Sequence, residues 1–283
     1  MKQILIYFIL IGFIILAACS NDSGKTSQGK SDPDSNESLA VEEPTVEKEE
    51  DVDNESSHKV DKEIEAKYIV TENWSLEPIE EGINENVVLL TFDDAPDQNA
   101  LEMAKILKEL DAKAIFFVNG HFIDTPKEEE MLKEIHEMGF SIGNHTFNHV
   151  TIPEESEEVQ KEEIVSLNDR VEEIIGERPV FFRAPHGANT DYSTQVAEEE
   201  GMTVMNWTYG YDYFEPYMDA EKLTKAMVTG EGPEVDVPYS LLKPGANLLM
   251  HDREWTKEAL PGIVKGLRDK GYEMLDPALI KTN

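Results

Sequence analysis

Residues 87–283 predict a barrel-like α/β fold of seven parallel strands with outer helices, and three observations carry that prediction. Short β-rich apolar runs alternate with helical stretches, most of which end in glycine. The runs are nearly continuously apolar, as strands of a parallel sheet buried on both faces are. No two runs are joined by a two-residue hairpin turn, so each return needs a βαβ crossover.

The elements follow in order. VVLLTF (87–92) is the first strand, and the helix after it, ALEMAKILKELD, repeats apolar residues at three and four: Leu101, Ala104, Leu107 and Leu110, with Ile106 beside them. AIFFVNG precedes the helix KEEEMLKEIHEMG, and FSIGNHT precedes a long helix, SEEVQKEEIVSLNDRVEEIIG. VFFRAP precedes STQVAEEEG, TVMNWTYG precedes DAEKLTKAMV, and NLLMHD precedes TKEALPGIVKGLRDKG. YEMLD closes the pattern. No internal repeat of fixed period is present.

Ahead of this domain the composition changes. After Met1-Lys2-Gln3, an apolar run from Ile4 to Leu16 suits a secretory signal and is short for a membrane span. It ends in LAAC, and Cys19 is the only cysteine of the 283-residue chain, so no intramolecular disulfide forms. A small-residue site with cysteine first after it resembles a bacterial lipobox. The resemblance implies a signal peptide over 1–18, a lipid on Cys19, and a protein held on the outer face of the cell membrane.

Residues 19–67 are acidic and poor in aromatics, which reads as a disordered tether with an r.m.s. reach on the order of 40 Å. Residues 68–86 recover aromatic and β-branched types and read as an arm laid on the domain. With 25 Lys and Arg against 59 Asp and Glu, the formal charge of −34 argues against nucleic acid as a partner. A monomer is expected.

The polar residues gather where strands end. Asp93-Asp94 follows the first, His145 and then His149 the third, Arg183 and His186 the fourth, Trp207 and Asp212 the fifth, and His251-Asp252 the sixth. In parallel barrels the C-terminal strand ends form the active face. His145 and His149 are four apart, so both imidazoles can face one metal ion. A carboxylate from a neighbouring strand end would leave an open coordination position, the layout of a catalytic site.

TFDDAPD, HTFNH, RAPHG and LLMHD, in that order and spacing, resemble the motifs of the polysaccharide deacetylases, the NodB-homology group or carbohydrate esterase family 4. The match covers 87–277. It implies a distorted (β/α)7 barrel and metal-dependent removal of acetyl groups from sugar polymers. Carried over by motif, it implies Asp93 as catalytic base, Arg183 as the residue that holds it, and His251 as general acid. Asp94, His145 and His149 become the ligands of one divalent ion, zinc first, with cobalt, nickel or manganese also accommodated.

The physical reading agrees. A zinc-like ion brings a water's pKa to about 7, and a protonated histidine can give the leaving amine its proton. Backbone N–H groups near His186 would help hold the oxyanion, and Asp212 would tune His251. Trp207 and Trp255 are candidate groove residues. Tyr209, Tyr211, Tyr213, Phe214 and Tyr217 suit either a sugar face or the core, and His121 could reach the groove rim.

Three departures from the family pattern stand out: Ala95 where glycine is usual, His186 where an aromatic is usual, and Gly210 and Tyr213 within the Trp-containing fourth motif. The expected activity is N-deacetylation of an envelope N-acetylhexosamine polymer, peptidoglycan or poly-N-acetylglucosamine. An O-acetyl esterase, or a glycan-binding lipoprotein with a vestigial site, are the alternatives.

Overall fold

The computed structural model describes residues 65–283. The signal peptide, Cys19 and nearly all of the tether lie outside the described residues. Among the described residues, no helix is long and apolar enough to cross a membrane.

Seven parallel strands form one curled sheet: β3 (Val87–Ala95), β4 (Ile115–Val118), β5 (Ser141–Asn144), β6 (Phe181–Phe182), β7 (Thr203–Val204), β8 (Tyr209–Gly210) and β9 (Ala246–His251). Their order is β7-β6-β5-β4-β3-β9-β8, and β10 (Glu273–Met274) adds in parallel to the start of β3. Helices α1 (Ala100–Glu109), α2 (Pro126–Glu137), α3 (Glu157–Ile175), α4 (Asp191–Glu199), α5 (Ala220–Thr229) and α6 (Glu254–Asp269) form the crossovers. The result is a half-barrel of parallel strands with outer helices, as the sequence pattern predicts.

Alternation along β3 divides the interior. Val88, Leu90 and Phe92 face one way, into a core shared with the helices through Met103, Leu107, Leu260 and Ile263. Val87 and Leu89 face the barrel interior, where Ile115, Phe117, Phe181 and Met205 pack. Each of these side chains, fully buried, contributes about 1.5–3 kcal/mol. The antiparallel pair β1 (Tyr68–Val70) and β2 (Leu76–Pro78) adds Tyr68 and Leu76 to the interior cluster at the N-terminal end of β3, away from the polar strand ends.

The structure departs from the sequence pattern at TVMNWTYG, which is two short strands rather than one. β7 pairs with β6, β8 pairs with β9, and residues 205–208 cross between them. Two features break the strand. The carbonyls of Met205 and Asn206 turn to the guanidinium of Arg183, at 3.3 and 2.8 Å, instead of continuing a ladder. At Gly210 the backbone passes so close to β9 that a Cβ would lie 2.4 Å from the Leu249 carbonyl oxygen, so only glycine fits. That contact accounts for one of the departures from the family pattern.

Candidate active site

The C-terminal strand ends surround a cleft of about 470 Å³ lined by Asp93, Asp94, His145, His149, His186, Trp207, Tyr213, Leu249, His251 and Arg253. A regular strand would send Asp93 and Asp94 to opposite faces. Here the register of β3 on β4 shifts between Phe92 and Ala95, and Asp94 sits at φ 60°. This bulge turns both carboxylates into the same cleft. Thr146, His149 and His186 also have positive φ, so four of the seven non-glycine residues with positive φ among the described residues belong to this site or its loop. Each costs on the order of 1–3 kcal/mol, so the surrounding packing must enforce it.

Asp93 lies on the cleft floor. Its Oδ1 accepts from Arg183 NH1 at 2.6 Å, and Arg183 also donates to Thr91 Oγ1 at 2.8 Å. Arg183 is fully buried, its Cζ lies 4.2 Å from the Phe117 ring centroid, and burial pulls its pKa below the usual guanidinium value against the attraction of Asp93. The second oxygen of Asp93 remains toward the cleft, 3.6 Å from His145 Nε2.

Asp94, His145 and His149 form the second group. One donor atom from each lies within 4.8 Å of the others. His145 Nδ1 is bound to the Arg183 carbonyl at 2.7 Å, which fixes the ring and leaves Nε2 facing Asp94 at 4.0 Å. His149 Nε2 is 3.4 Å from the same Asp94 oxygen. Burial holds both imidazoles below their ordinary pKa, in the neutral form that binds metals. Burial would raise the Asp94 pKa, but His251, His145, His149 and Arg253 outweigh it and keep the carboxyl below its usual range. Two neutral imidazoles and one carboxylate, converging from the ends of β5 and β3 on either side of β4, fit one divalent cation.

His251 faces Asp93 across the β3–β9 ladder. Its Nδ1 donates to Asp212 Oδ1 at 2.8 Å, while Asp212 Oδ2 accepts from the His251 backbone N–H at 2.6 Å and from Thr256 Oγ1 at 2.8 Å. Burial opposes a charge on His251, but Asp212 first, then Asp93 and Asp94, raise its pKa to about 9. Tyr213 lies edge-on to His251, with ring centroids 5.6 Å apart.

The loop after Asp94 is anchored from β9. Asp252 accepts from the backbone N–H groups of Asp97, Asn99 and Ala100 at 2.7, 2.7 and 2.9 Å, supplying the cap that Asn99 does not give α1.

Residues 81–205 match the family model described as polysaccharide deacetylase, a stretch that holds Asp93, Asp94, His145, His149 and Arg183. A peptidoglycan-N-acetylglucosamine deacetylase of Bacillus cereus is 30% identical over 202 residues, which are 68% of this chain and 69% of the relative. The chain belongs to the polysaccharide deacetylase family.

Family structures superpose on it with the same half-barrel. One, described as T48 deacetylase with substrate, is 27% identical with a TM-score of 0.59, over 70% of this chain and 94% of that one. Another, a CE4 family pseudoenzyme from Bacillus anthracis, is 25% identical with a TM-score of 0.58, over 67% and 63%. Across the curated relatives the matched region spans from 37% to 86% of their length.

Most of the residues named from sequence meet at this cleft: Asp93, Asp94, His145, His149, His186, Trp207 and His251 line it, Arg183 lies beneath it and Asp212 behind it. His186 stands edge-on to His149, with ring centroids 5.2 Å apart. Gly187 has φ 66°, and a Cβ there would lie 3.1 Å from the Trp207 ring.

Trp255 corrects the sequence reading. It is not among the cleft-lining residues, because it packs on the helix-side core and its indole N–H donates to the Asp212 carbonyl at 2.8 Å. It therefore supports the Asp212 loop. His121 is likewise outside the lining and is bound to the Phe147 carbonyl. Of the aromatic loop, Tyr209, Tyr211 and Tyr217 are core residues, and Tyr213 reaches the cleft.

The sequence reading missed Arg253. It donates to Asp94 Oδ2 at 2.7 Å. Its signal was present, a cation two residues past His251, but nothing in the motif pairs that position with β3.

Proposed function

We propose that this domain is a divalent-metal-dependent hydrolase that removes N-acetyl groups from an N-acetylhexosamine polymer of the cell envelope, with peptidoglycan as the first candidate. The observation that carries the reading is the convergence, in one cleft, of an Arg-held carboxylate, an Asp-His-His set and an Asp-paired histidine. The names of the relatives support the substrate class.

Asp94, His145 and His149 would hold the cation, and zinc suits that donor set. When bound, the ion supplies a Lewis acid and lowers the pKa of a water in the cleft. Asp93 is the base: Arg183 occupies one oxygen and fixes the carboxylate in place, and the other oxygen faces the cleft to take the proton of the attacking water. With Nδ1 on Asp212, His251 offers Nε2 as the acid for the departing amine, charged at neutral pH by its raised pKa. The backbone at His186 would hold the oxyanion, and Tyr213 and Trp207 would flank the sugar.

The test is acetate release by the purified domain from peptidoglycan and from N-acetylglucosamine oligomers. Release that stops with a chelator and returns with Zn²⁺ is expected. Release unaffected by chelation, or none from any acetylated glycan, would sink the proposal. A glycan-binding protein with a lost activity is the second reading, raised by the pseudoenzyme neighbour and by Ala95 and His186. Against it, the base, the Asp-His-His set and the acid are all present. We also place the domain on the outer face of the membrane through Cys19, so Cys19→Ala should release it from membrane fractions.

A further inference from the structure

Each aspartate of the pair has its own arginine. Arg183 serves Asp93, and Arg253, from the N-terminus of α6, serves Asp94. Arg253 NH2 donates to Asp94 Oδ2 at 2.7 Å, and NH1 donates to the Asp252 carbonyl at 3.0 Å. Asp252 in turn caps α1 and is bound to the backbone beyond Asp94. The guanidinium is thus fixed to the same frame that sets the Asp94 backbone. Both Asp94 contacts to the imidazoles, at 3.4 and 4.0 Å, go through the other oxygen, Oδ1.

We propose that Arg253 is a positioning residue that withholds Asp94 Oδ2 from the metal, so that Asp94 binds through Oδ1 alone and the ion keeps a low coordination number with open positions for substrate and water. This rests on the metal-site reading above. A carboxylate free to rotate can ligate through one oxygen or two. A charge-assisted hydrogen bond of this length removes one oxygen from that choice, and loss of such a partner of a ligating group typically costs about 10–100-fold in metal affinity or activity. The cation also offsets the charge Asp94 brings beside Asp93, as Arg183 does on the other side.

The test uses Co²⁺ in place of the native ion, because its visible ligand-field absorption weakens as coordination number rises. Wild-type domain, Arg253→Met and Arg253→Lys are each loaded with one equivalent of Co²⁺, with circular dichroism to check the fold. The expected result is intense absorption in the wild type, a several-fold loss of intensity in Arg253→Met at full Co²⁺ occupancy, and recovery of most of it in Arg253→Lys. A spectrum unchanged in Arg253→Met overturns the proposal. So does tighter Co²⁺ binding without a spectral change, since Arg253 would then be a competitor for Asp94. If the wild type binds no Co²⁺, the metal-site reading fails and this proposal falls with it. Failure of the proposal alone is marked by normal wild-type loading.

Discussion

Asp93 and Asp94 are joined by one peptide bond, yet their surroundings are opposites. Asp93 and Arg183 form a floor pair with side chains 3% and 0% exposed, whereas Asp94 and Arg253 form a rim pair at 17% and 36%. On the floor, Arg183 is tied to Asp93, Thr91, Met205 and Asn206 and stacked on Phe117, so neither partner has room to move. On the rim, Asp94 faces two imidazoles and an open cleft. A general base works best when its geometry is preset, while a ligand must admit and hold an ion. In the proposed mechanism one residue type serves both tasks, because burial and partner differ.

The largest expected effect separates the two aspartates by function. Asp93→Asn should keep one metal per chain and lower kcat/KM by about 10²–10⁴-fold, the usual contribution of a general base. Asp94→Asn should lose metal and activity together. Metal analysis beside acetate release checks this, and equal metal loss in both variants would contradict the division.

Next comes stability. Arg183→Met strands a buried carboxylate and should cost about 3–5 kcal/mol, a fall in Tm of roughly 6–20 °C at about 2–4 °C per kcal/mol for a domain of this size. The double variant with Asp93→Asn should recover more than half of that loss in thermal melts. A single-variant cost under about 1 kcal/mol would mean that the floor pair is not the buried unit described.

A smaller effect concerns His251, the proposed acid opposite the floor. The pKa of His251, raised to about 9 chiefly by Asp212 against the cost of burial, predicts an alkaline limb of kcat near that pH. Asp212→Asn should move the limb down by more than one unit, with little change on the acid side. The sign for stability follows from the same shift. The unfolded histidine titrates near about 6.5, so the pair's contribution is full below that value and is lost as pH rises toward about 9. Asp212→Asn should flatten that slope in urea titrations run at several pH values. A limb that stays in place in the variant would break the link between Asp212 and the acid.

How much of this was legible in the sequence follows the same division. The apolar runs of β3, β4 and β9 announced their strands, and the polar residues at the ends of β3, β5 and β9 announced Asp93, Asp94, His145 and His251. The opposite wall was less legible. β6, β7 and β8 have two residues each, too few for a hydrophobic period, and 203–210 breaks because its carbonyls turn to Arg183, a contact between distant residues. Likewise Trp255 reads as a groove residue by its position after LLMHD, but the first turn of α6 aims it at the Asp212 carbonyl. Arg253 stands 159 residues from Asp94. Only the β3–β9 ladder, which sets Asp93 against His251, brings the two together.

The smallest expected effect is on the rim. Arg253→Met removes an ion pair of the same chemistry as the floor pair, but one that is partly solvated. Such pairs contribute about 0–1 kcal/mol, so Tm should fall by no more than about 2–4 °C, against several times that for Arg183→Met. Asp94 would then lose a guanidinium but keep His145 and His149 as neighbours and keep access to water, whereas Asp93, its side chain 3% exposed, keeps His145 nearby but has little water to take the place of Arg183. If the two substitutions prove equally destabilising in metal-free protein, the rim is as rigid as the floor, and the contrast between an enforced base and an adjustable ligand fails at its second term.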